Sequence, residues 1–464
     1  MAKDKDVQAE PAGSAFPGRA WERVESAEAV PPESALPDDV AGAATVATVV
    51  DTAETHEPRN LLVMGLYDIV IRIGWIFKTE SVIMPAFLDQ VAGAGWLRGV
   101  LPVVNRFGQS LPPAFYAPRL RHMPLKKFSL SVWTLAMGIV FLSLAGMWWH
   151  FGASKPSWMA GMFLLLYAAF SSAHGINQLS YGTVQGKLIS IRSRGRLMSW
   201  ILPIGATLAV VCAWWLMGRW LREQGGFVWI FGFTGVCFVI GSALALALRE
   251  PRDAMAAGGK VVERGWTSAL AVFRHDANFR RFALVAMLSS TTVILFPHYQ
   301  ALGRQQLGLD RENLMIWVVV QNLAVAVFGF IIGRIVHGYG ERLALRITIL
   351  GTALAPLTAV FVAYLDPALG KEWFWIVFIP IGMTPISQKT MLGYTLEVSA
   401  MADHPRYLSA LSLCQAAPFV ISPAVGWLVD LIGFEPVMVC GAVLLLFAGA
   451  MTWRIDEPRH GIGV

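Results

Sequence analysis

GFVWIFGFTGVCFVIGSALALALREPR, residues Gly226–Arg252, returns 207 positions later as GFEPVMVCGAVLLLFAGAMTWRIDEPR, residues Gly433–Arg459. Both segments open on Gly-Phe, continue as an apolar run and end on Glu-Pro-Arg. A repeat that closes both halves of a hydrophobic chain indicates that one helical bundle was doubled. These two segments therefore predict the architecture of the whole chain.

The composition is that of a membrane protein. Of 464 residues, 55% are hydrophobic and only 15% are charged, whereas a soluble domain carries about a quarter charged residues. Apolar stretches of about 20 residues, each long enough to cross a bilayer, recur along the chain. They are continuously apolar, so they predict helices, not barrel strands. The twelve predicted spans are 66–89, 96–117, 128–150, 158–183, 197–218, 227–248, 282–303, 313–334, 346–365, 373–397, 407–428 and 436–454.

The chain is predicted to have four parts: an acidic tail (1–59), a first six-helix half (60–252), a central loop (253–281) and a second half with a short tail (282–464). The first 58 residues hold 12 acidic and 4 basic side chains, a composition that cannot bury a core and predicts disorder. This stretch lacks the basic start and apolar run of a signal peptide. The central loop has an interfacial-helix pattern at Trp266–Phe273.

Lysine and arginine give the orientation. If both termini are cytoplasmic, the inner loops hold 21 of these residues and the outer loops 7, which the positive-inside rule favours strongly. We therefore expect a multi-pass protein of a bacterial cytoplasmic (inner) membrane. The basic excess reflects this topology and does not predict nucleic-acid binding.

Several chemistries lack their motifs. The four cysteines lie in predicted helices without metal-ligand spacing, so they are interpreted as packing residues, and no metal or cofactor is predicted. There is no P-loop for ATP, no zinc-protease helix and no nucleophile elbow, so an enzyme is not expected. Doubled membrane bundles are most often carriers with a site between their halves.

The halves also match inside the bundle. Gln178 and Gln388 are 210 positions apart, and Arg196 and Arg406 share that offset. The loop Gly333-Arg334-Ile335-Val336-His337-Gly338-Tyr339-Gly340-Glu341-Arg342 is similar to the signature Gly-x-x-x-Asp-Arg-x-Gly-Arg-Arg between helices 8 and 9 of the major facilitator superfamily. Gly333, Gly340 and Arg342 fit, while His337 stands at the Asp position. Over about 60–459 the chain resembles that superfamily of secondary transporters.

The resemblance implies a monomer in the lipid bilayer with gating residues at the inner loops. These are Arg119, Arg196, Gly333, Gly340, Arg342 and Arg406. Arg119 or Arg342 would pair with an acid such as Glu250 or Glu397. The Gly-Pro-rich helix 5 motif of drug-proton antiporters is absent from Ile201–Thr207, which disfavours drug efflux.

The superfamily lines its central cavity with helices 1, 4, 7 and 10, which carry most of the deep polar residues of this chain. The expected solute-binding residues are Lys78, His174, Asn177, Gln178, His298, Tyr299, Gln300, Gln388 and Lys389. Lys389 lies too deep to reach the surface easily, so it either holds an anionic solute group or forms a structural ion pair.

Glu80 is the predicted proton-coupling residue, because a carboxyl inside the membrane is suited to exchange protons. Its alternative role is charge compensation for Arg106 or Lys389. Lys78 and Glu80 would point apart on a regular helix, and Asp68 and Arg72 have the spacing of a local pair.

Four deep cations against one acid favour an anionic or zwitterionic solute. The sequence thus predicts an alternating-access transporter, with proton coupling as one possible energy source. The alternative is a transporter-like sensor or partner subunit that binds ligand without moving it.

Overall fold

The computed structural model describes residues 38–189, 203–223, 225–252, 272–399 and 403–457. The chain divides into two compact units, Met1–Asp51 and Thr52–Val464, and the bundle discussed below is the second. Most of the predicted tail, Arg196 and most of the central loop, including Trp266, lie outside the described residues.

The described residues are mainly helical and include no β-strand, and helix overlaps every predicted span within the described ranges. In the first half, the helices are α1 (Asp38–Ile76, resuming at Ile83–Val91), α2 (Gly95–Arg121), α3 (Lys127–Phe151), α4 (Met159–Leu188), α5 (Pro203–Arg222) and α6 (Phe227–Leu246). In the second half they are α7 (Ala277–Ser289, resuming at Thr291–Ala301), α8 (Glu312–Tyr339), α9 (Glu341–Ala363), α10 (Phe378–Ile381 and Thr384–Val398), α11 (His404–Ala416, resuming at Ser422–Ile432) and α12 (Phe434–Met451).

Within the described residues, nine of these helices have the length and apolar character to cross a membrane. The other three are α1, α2 and α10. They carry the deep polar side chains, such as Lys78, Arg106 and Lys389, and α1 and α10 are also interrupted. The three least apolar helices therefore contain several of the charged residues that are candidates for function.

The opening repeat corresponds to the last helix of each half. α6 begins at Phe227 and α12 at Phe434. Gly433 precedes α12 with φ of 90°, a left-handed conformation that favours glycine. In the first half the left-handed residue is Gly225, one position earlier than the sequence match suggests. Each helix then packs on the third helix of its own half, α6 on α3 and α12 on α9.

The outer surface of the bundle is apolar. On α3, Val132, Leu135 and Ile139 are exposed, and on α5 so is Trp215. Such a continuous apolar surface is expected where helices contact lipid. The interior of the first half is aromatic instead, with Phe87 close to Phe163 and Phe231.

The two halves meet closely where α2 begins and α11 ends. The backbones of Gly95 and Gly426 touch, and Gly99 lies against Ser422. Small residues allow helices in membranes to approach closely. α5 and α8 also meet near this end of the bundle, where Met315 of α8 packs against Gly218 of α5. We call this the closed end of the bundle.

The other end carries the start of the bundle at Asn60 and its finish at Asp456, and we call it the terminal end. Two hydrogen bonds here tie helices within a half. Asn60 donates to the Arg249 carbonyl at 2.9 Å, and Tyr394 donates to the Asp456 carbonyl at 2.8 Å. Hydrogen bonds and ion pairs between described residues join one half to the other at the closed end and midway along the helices.

Candidate functional site

The first element of the site is an interruption of α1. The helix ends at Ile76 and resumes at Ile83, just ahead of Pro85, whose ring would clash with the Ser81 carbonyl in a continuous helix. Thr79 caps the second segment, since its carbonyl accepts from the Ile83 and Met84 amides at 3.1 Å. Pro85 thus accounts for a break in the helix beside Lys78 and Glu80.

The interruption brings Lys78 and Glu80 together. The Lys78 Nζ donates to a Glu80 oxygen at 2.7 Å. Two residues apart on a regular helix, they would point apart, and they meet because the helix is broken here. Lys78 is fully buried, whereas the Glu80 side chain is 28% exposed.

Aromatic rings cover the buried amine. The Lys78 Nζ lies 3.6 Å from the centre of the Trp75 ring and 4.6 Å from that of Phe170. An ammonium over an aromatic face is attracted by the ring quadrupole. The carboxylate faces the other way, into a small cavity that it shares with Asn105, Tyr167 and Phe296. Phe296 belongs to the second half, so Glu80 lies between the halves.

A second interruption lies in α7, at Ser290. Glu80 and Ser290 are 210 positions apart, the offset that relates Gln178 to Gln388. The two halves thus depart from regular helix at equivalent positions, over several residues in α1 and at a single residue in α7. Interrupted helices at corresponding positions of a repeat are the best structural pointer to a transporter binding site.

The three α4 residues expected at the site are arranged differently from one another. His174 is buried with its ring centre 4.4 Å from that of Trp75, and its Nε2 is 2.9 Å from the Gln178 amide nitrogen. Gln178 is exposed. Asn177 lies in the packing of α4 instead, where its amide donates to Thr134 at 2.7 Å. The structure therefore brings His174 and Gln178 near the pair but not Asn177.

On α10, Gln388 and Lys389 are both exposed. Leu392 and Leu396 continue the same exposed face toward the terminal end, and Gln388 lines a cavity between the halves. The exposed face of α10 therefore begins beside the cavity. Lys389 has no ion pair among the described residues, so the alternative of a structural pair does not describe this conformation.

The remaining α7 residues lie at the closed end. His298, Tyr299 and Gln300 are fully buried, and the Gln300 amide donates to Asp89 at 2.7 Å. Asp89 also accepts from Arg98 at 2.9 Å. Arg98 then reaches Asp430 of the second half at 3.5 Å. In the sequence, Arg98 is one of the seven basic residues of the predicted outer loops. Its role in joining the halves is visible only in the fold.

Arg106 was expected only as a possible charge partner of Glu80. It lies in α2 and donates to the Gln415 side chain of α11. It borders a small cavity formed mainly by α7, α10 and α11. Its position midway between the halves depends on the packing of α2 against α11.

The expected gating residues that are described lie on or next to α2, α8, α9 and α11. Arg342 donates to the Thr452 and Trp453 carbonyls and thereby joins α9 to the end of α12. Gly340 has φ of 88° in the turn between α8 and α9. Arg119 and Gly333 are exposed, and Arg406 is half-buried. Arg196 lies outside the described residues.

Two expected acid partners are corrected by the geometry. Glu250 accepts from the Lys126 and Lys127 amides and from the Lys187 amine, so it caps α3 and does not pair with Arg119. Asp68 accepts from Tyr181 at 2.7 Å and forms no ion pair with Arg72, because the phenol of α4 takes its place. Over the described ranges, no three of His, Cys, Asp and Glu are placed to hold a metal ion.

Comparison with known proteins gives a consistent result. A family model described as Major Facilitator Superfamily matches residues 125–402, more than half of the chain. No curated protein sequence matches significantly. A variant of the nucleoside transporter NupG has a similar structure, with a TM-score of 0.66 at 13% identity over 86% of this chain and 100% of that one.

Two further solved structures are similar. The D-xylose-proton symporter has a TM-score of 0.63 at 12% identity, covering 87% of this chain and 100% of the symporter. A bacterial homologue of the iron transporter ferroportin, in an inward-facing state, has a TM-score of 0.61 at 15% identity, covering 85% and 98%. At these identities the likeness shows a shared fold.

Proposed function

The chain belongs to the Major Facilitator Superfamily, and on that premise we propose that it is a secondary active transporter of a small anionic or zwitterionic solute. It works by alternating access, with the two halves rocking around a site near mid-depth. The observation that carries the proposal is the pair of equivalent interruptions at Glu80 and Ser290. Both lie between the halves, where a solute would be bound and released.

The contacts between the halves support one conformational state. α2 and α11 touch at the closed end, while the faces that carry Gln178 and Lys389 are exposed. Such a molecule is open toward the terminal end. If the termini are cytoplasmic, as the lysine and arginine distribution favours, this state faces inward.

The Lys78–Glu80 pair supports coupling to protons. Protonation of Glu80 would leave Lys78 as a buried cation without its counter-ion, which is unfavourable in a low-dielectric interior. A solute anion arriving beside the pair would supply the missing negative charge. Proton uptake at Glu80 and anion binding would then favour one another, which is the linkage that a proton–anion symporter requires.

The roles of the two residues differ. Glu80 borders the cavity and would exchange the proton. Lys78 is covered by Trp75 and Phe170, so it would act by holding the carboxylate in place. Lys389 adds positive charge along the open face, where it would attract an anion on its way to the cavity.

The test is flux into proteoliposomes that contain a pH-sensitive dye. Carboxylates, phosphorylated metabolites, sugars, amino acids and short peptides would be offered with and without a pH gradient. We expect solute-dependent proton movement in the unmodified protein and its loss in Glu80→Gln, because an amide cannot carry the proton. Glu372→Gln is the matched control, since Glu372 is an exposed acid remote from the interruption.

Each alternative outcome is distinct. Solute flux without proton movement would retain the transporter and reject Glu80 as its coupling residue. Ligand-induced thermal stabilisation without flux of any compound would reject transport and favour a sensor.

A further inference from the structure

The cavity beside Arg106 has a polar lining that contains one cation. Its volume in this conformation is about 20 Å³, room for about one water molecule, so a solute enters only when the lining side chains move apart. α2 contributes Arg106, and the rest of the lining comes from the second half. The other polar lining residues are neutral and include Ser290, Thr292, Thr384, Gln388 and Gln415.

Arg106 forms no ion pair of its own. None of the ion pairs among the described residues includes it, and its hydrogen-bond acceptor is the neutral side chain of Gln415. The acid whose charge acts on Arg106 is Glu80, which is already bonded to Lys78. A guanidinium remains charged in a protein, and a charge in the membrane interior needs a counter-charge or water. Two cations and one carboxylate therefore leave one positive charge to be balanced by something that enters the cavity.

Two polar atoms of the lining are also unused. The Arg106 Nε and the Thr384 hydroxyl are buried and have no hydrogen-bond partner within the described ranges. Leaving a buried polar group unsatisfied is unfavourable by about 1–3 kcal/mol. A ligand with a planar, bidentate acceptor would satisfy the guanidinium, and an oxygen beside it would satisfy the hydroxyl.

We propose that Arg106 binds the carboxylate of a small α-substituted monocarboxylate, with Thr384 hydrogen-bonding the same group or its substituent. Guanidinium and carboxylate match in a bidentate geometry. The inference rests on the proposed transport function and names the chemistry of its solute.

The charge of the ligand follows from its surroundings. Val293 lines both this cavity and the one that holds Glu80, so a second negative charge on the ligand would lie near an acid. A single cation and a nearby carboxylate thus favour a monoanion or a zwitterion over a dianion. In a zwitterion, the ammonium would lie toward Glu80.

The test is thermal unfolding of the purified full-length chain at constant ionic strength with three probe pairs. They are lactate with lactamide, alanine with alaninamide, and benzoate with benzamide, so that each pair differs at the carboxylate. We expect at least one carboxylate to raise the Tm, with its amide having no comparable effect. Arg106→Gln should abolish that shift, and Arg106→Lys should retain a smaller one, because lysine keeps the charge but not the bidentate geometry.

Two further variants make the result interpretable. Arg252→Gln removes an exposed arginine and should bind like the unmodified chain. Thr384→Val removes the unused hydroxyl at nearly constant volume and should weaken binding about tenfold. If Arg106→Gln does not fold, this variant tests the proposed site in its place. A larger shift with alanine than with lactate would assign a zwitterion, and the reverse an anion.

The proposal is wrong if no carboxylate in the panel acts, or if Arg106→Gln keeps the full shift. Counterflow of the same compound in proteoliposomes separates this inference from the proposed function. Arg106-dependent binding without flux would keep the site and reject transport. Flux that Arg106→Gln leaves unchanged would keep transport and reject the site.

Discussion

At the scale of single residues, one buried carboxylate is held by partners that lie far away in the chain. Glu250, from the Glu-Pro-Arg end of the first repeat, has a fully buried side chain and an ion pair with Lys187 at 2.8 Å. It also accepts the Lys127 amide at 2.7 Å. One carboxylate thus fixes the ends of α3, α4 and α6 at the terminal end.

Replacing this carboxylate should be strongly destabilising. We expect Glu250→Ala to lower the unfolding free energy by about 3–5 kcal/mol, because it leaves a partly buried amine without its counter-ion. The control is Glu223→Ala, which breaks an exposed pair with Arg219 at 3.7 Å and should change stability by less than about 1 kcal/mol. Thermal unfolding in detergent compares the two variants. Equal Tm values would contradict the structural role of Glu250.

At the scale of elements, α2 and α11 carry the closest approach between the halves. A Cβ on Gly99 would lie 2.8 Å from the Pro423 Cα, closer than real Cβ atoms come. The obstruction is backbone, which cannot rotate away as a side chain does. Glycine at this position therefore sets the distance between the two helices and, through them, the closed end.

A methyl group at Gly99 should force these helices apart. We expect Gly99→Ala to destabilise the closed end by about 1–3 kcal/mol, as overpacking does. Spin labels at the exposed positions Trp96 and Leu431 would report a longer separation. Gly146→Ala is the matched control, because its Cβ meets no atom within 4 Å. Identical distance distributions in the two variants would rule out this account of the interface.

At the scale of the whole molecule, the closed end combines this packing with a polar network. Arg98 is 1% exposed and contacts Asp89 of its own half. Asp430, whose side chain is 40% exposed, supplies the contact from the second half and also accepts the Gly95 amide at 2.7 Å. Opening this end requires these bonds to break together, so the network biases the equilibrium between the two transport states.

Asp430→Asn should shift that equilibrium modestly. The ion pair is long and partly exposed, so its loss is worth at most about 1 kcal/mol, or about a fivefold change in population. A cysteine at Leu302, which is fully buried, should then react faster with a membrane-impermeant maleimide. The difference from the unmodified protein should shrink at high salt. Asp310 is an exposed acid in the loop that follows α7, and Asp310→Asn should leave the rate of maleimide labelling unchanged. Equally faster labelling in this control would attribute the change to surface charge alone.

The sequence by itself determined the class of protein and its helices. Long apolar stretches and the repeat of Gly226–Arg252 at Gly433–Arg459 act locally along the chain, so they are readable without a structure. Pro85 also explains the break in α1, because proline disrupts the preceding helical turn whatever surrounds it.

Only the tertiary structure decided which polar residues share a site. Lys78 meets Glu80 because α1 is broken. Arg106 meets Gln415, 309 positions away, because α2 packs on α11 through glycines. Such contacts depend on helix rotation and crossing, which hydrophobic patterning leaves open in a membrane where lipid is as apolar as the core. That is why the charged residues were identifiable from the sequence while their partners were not.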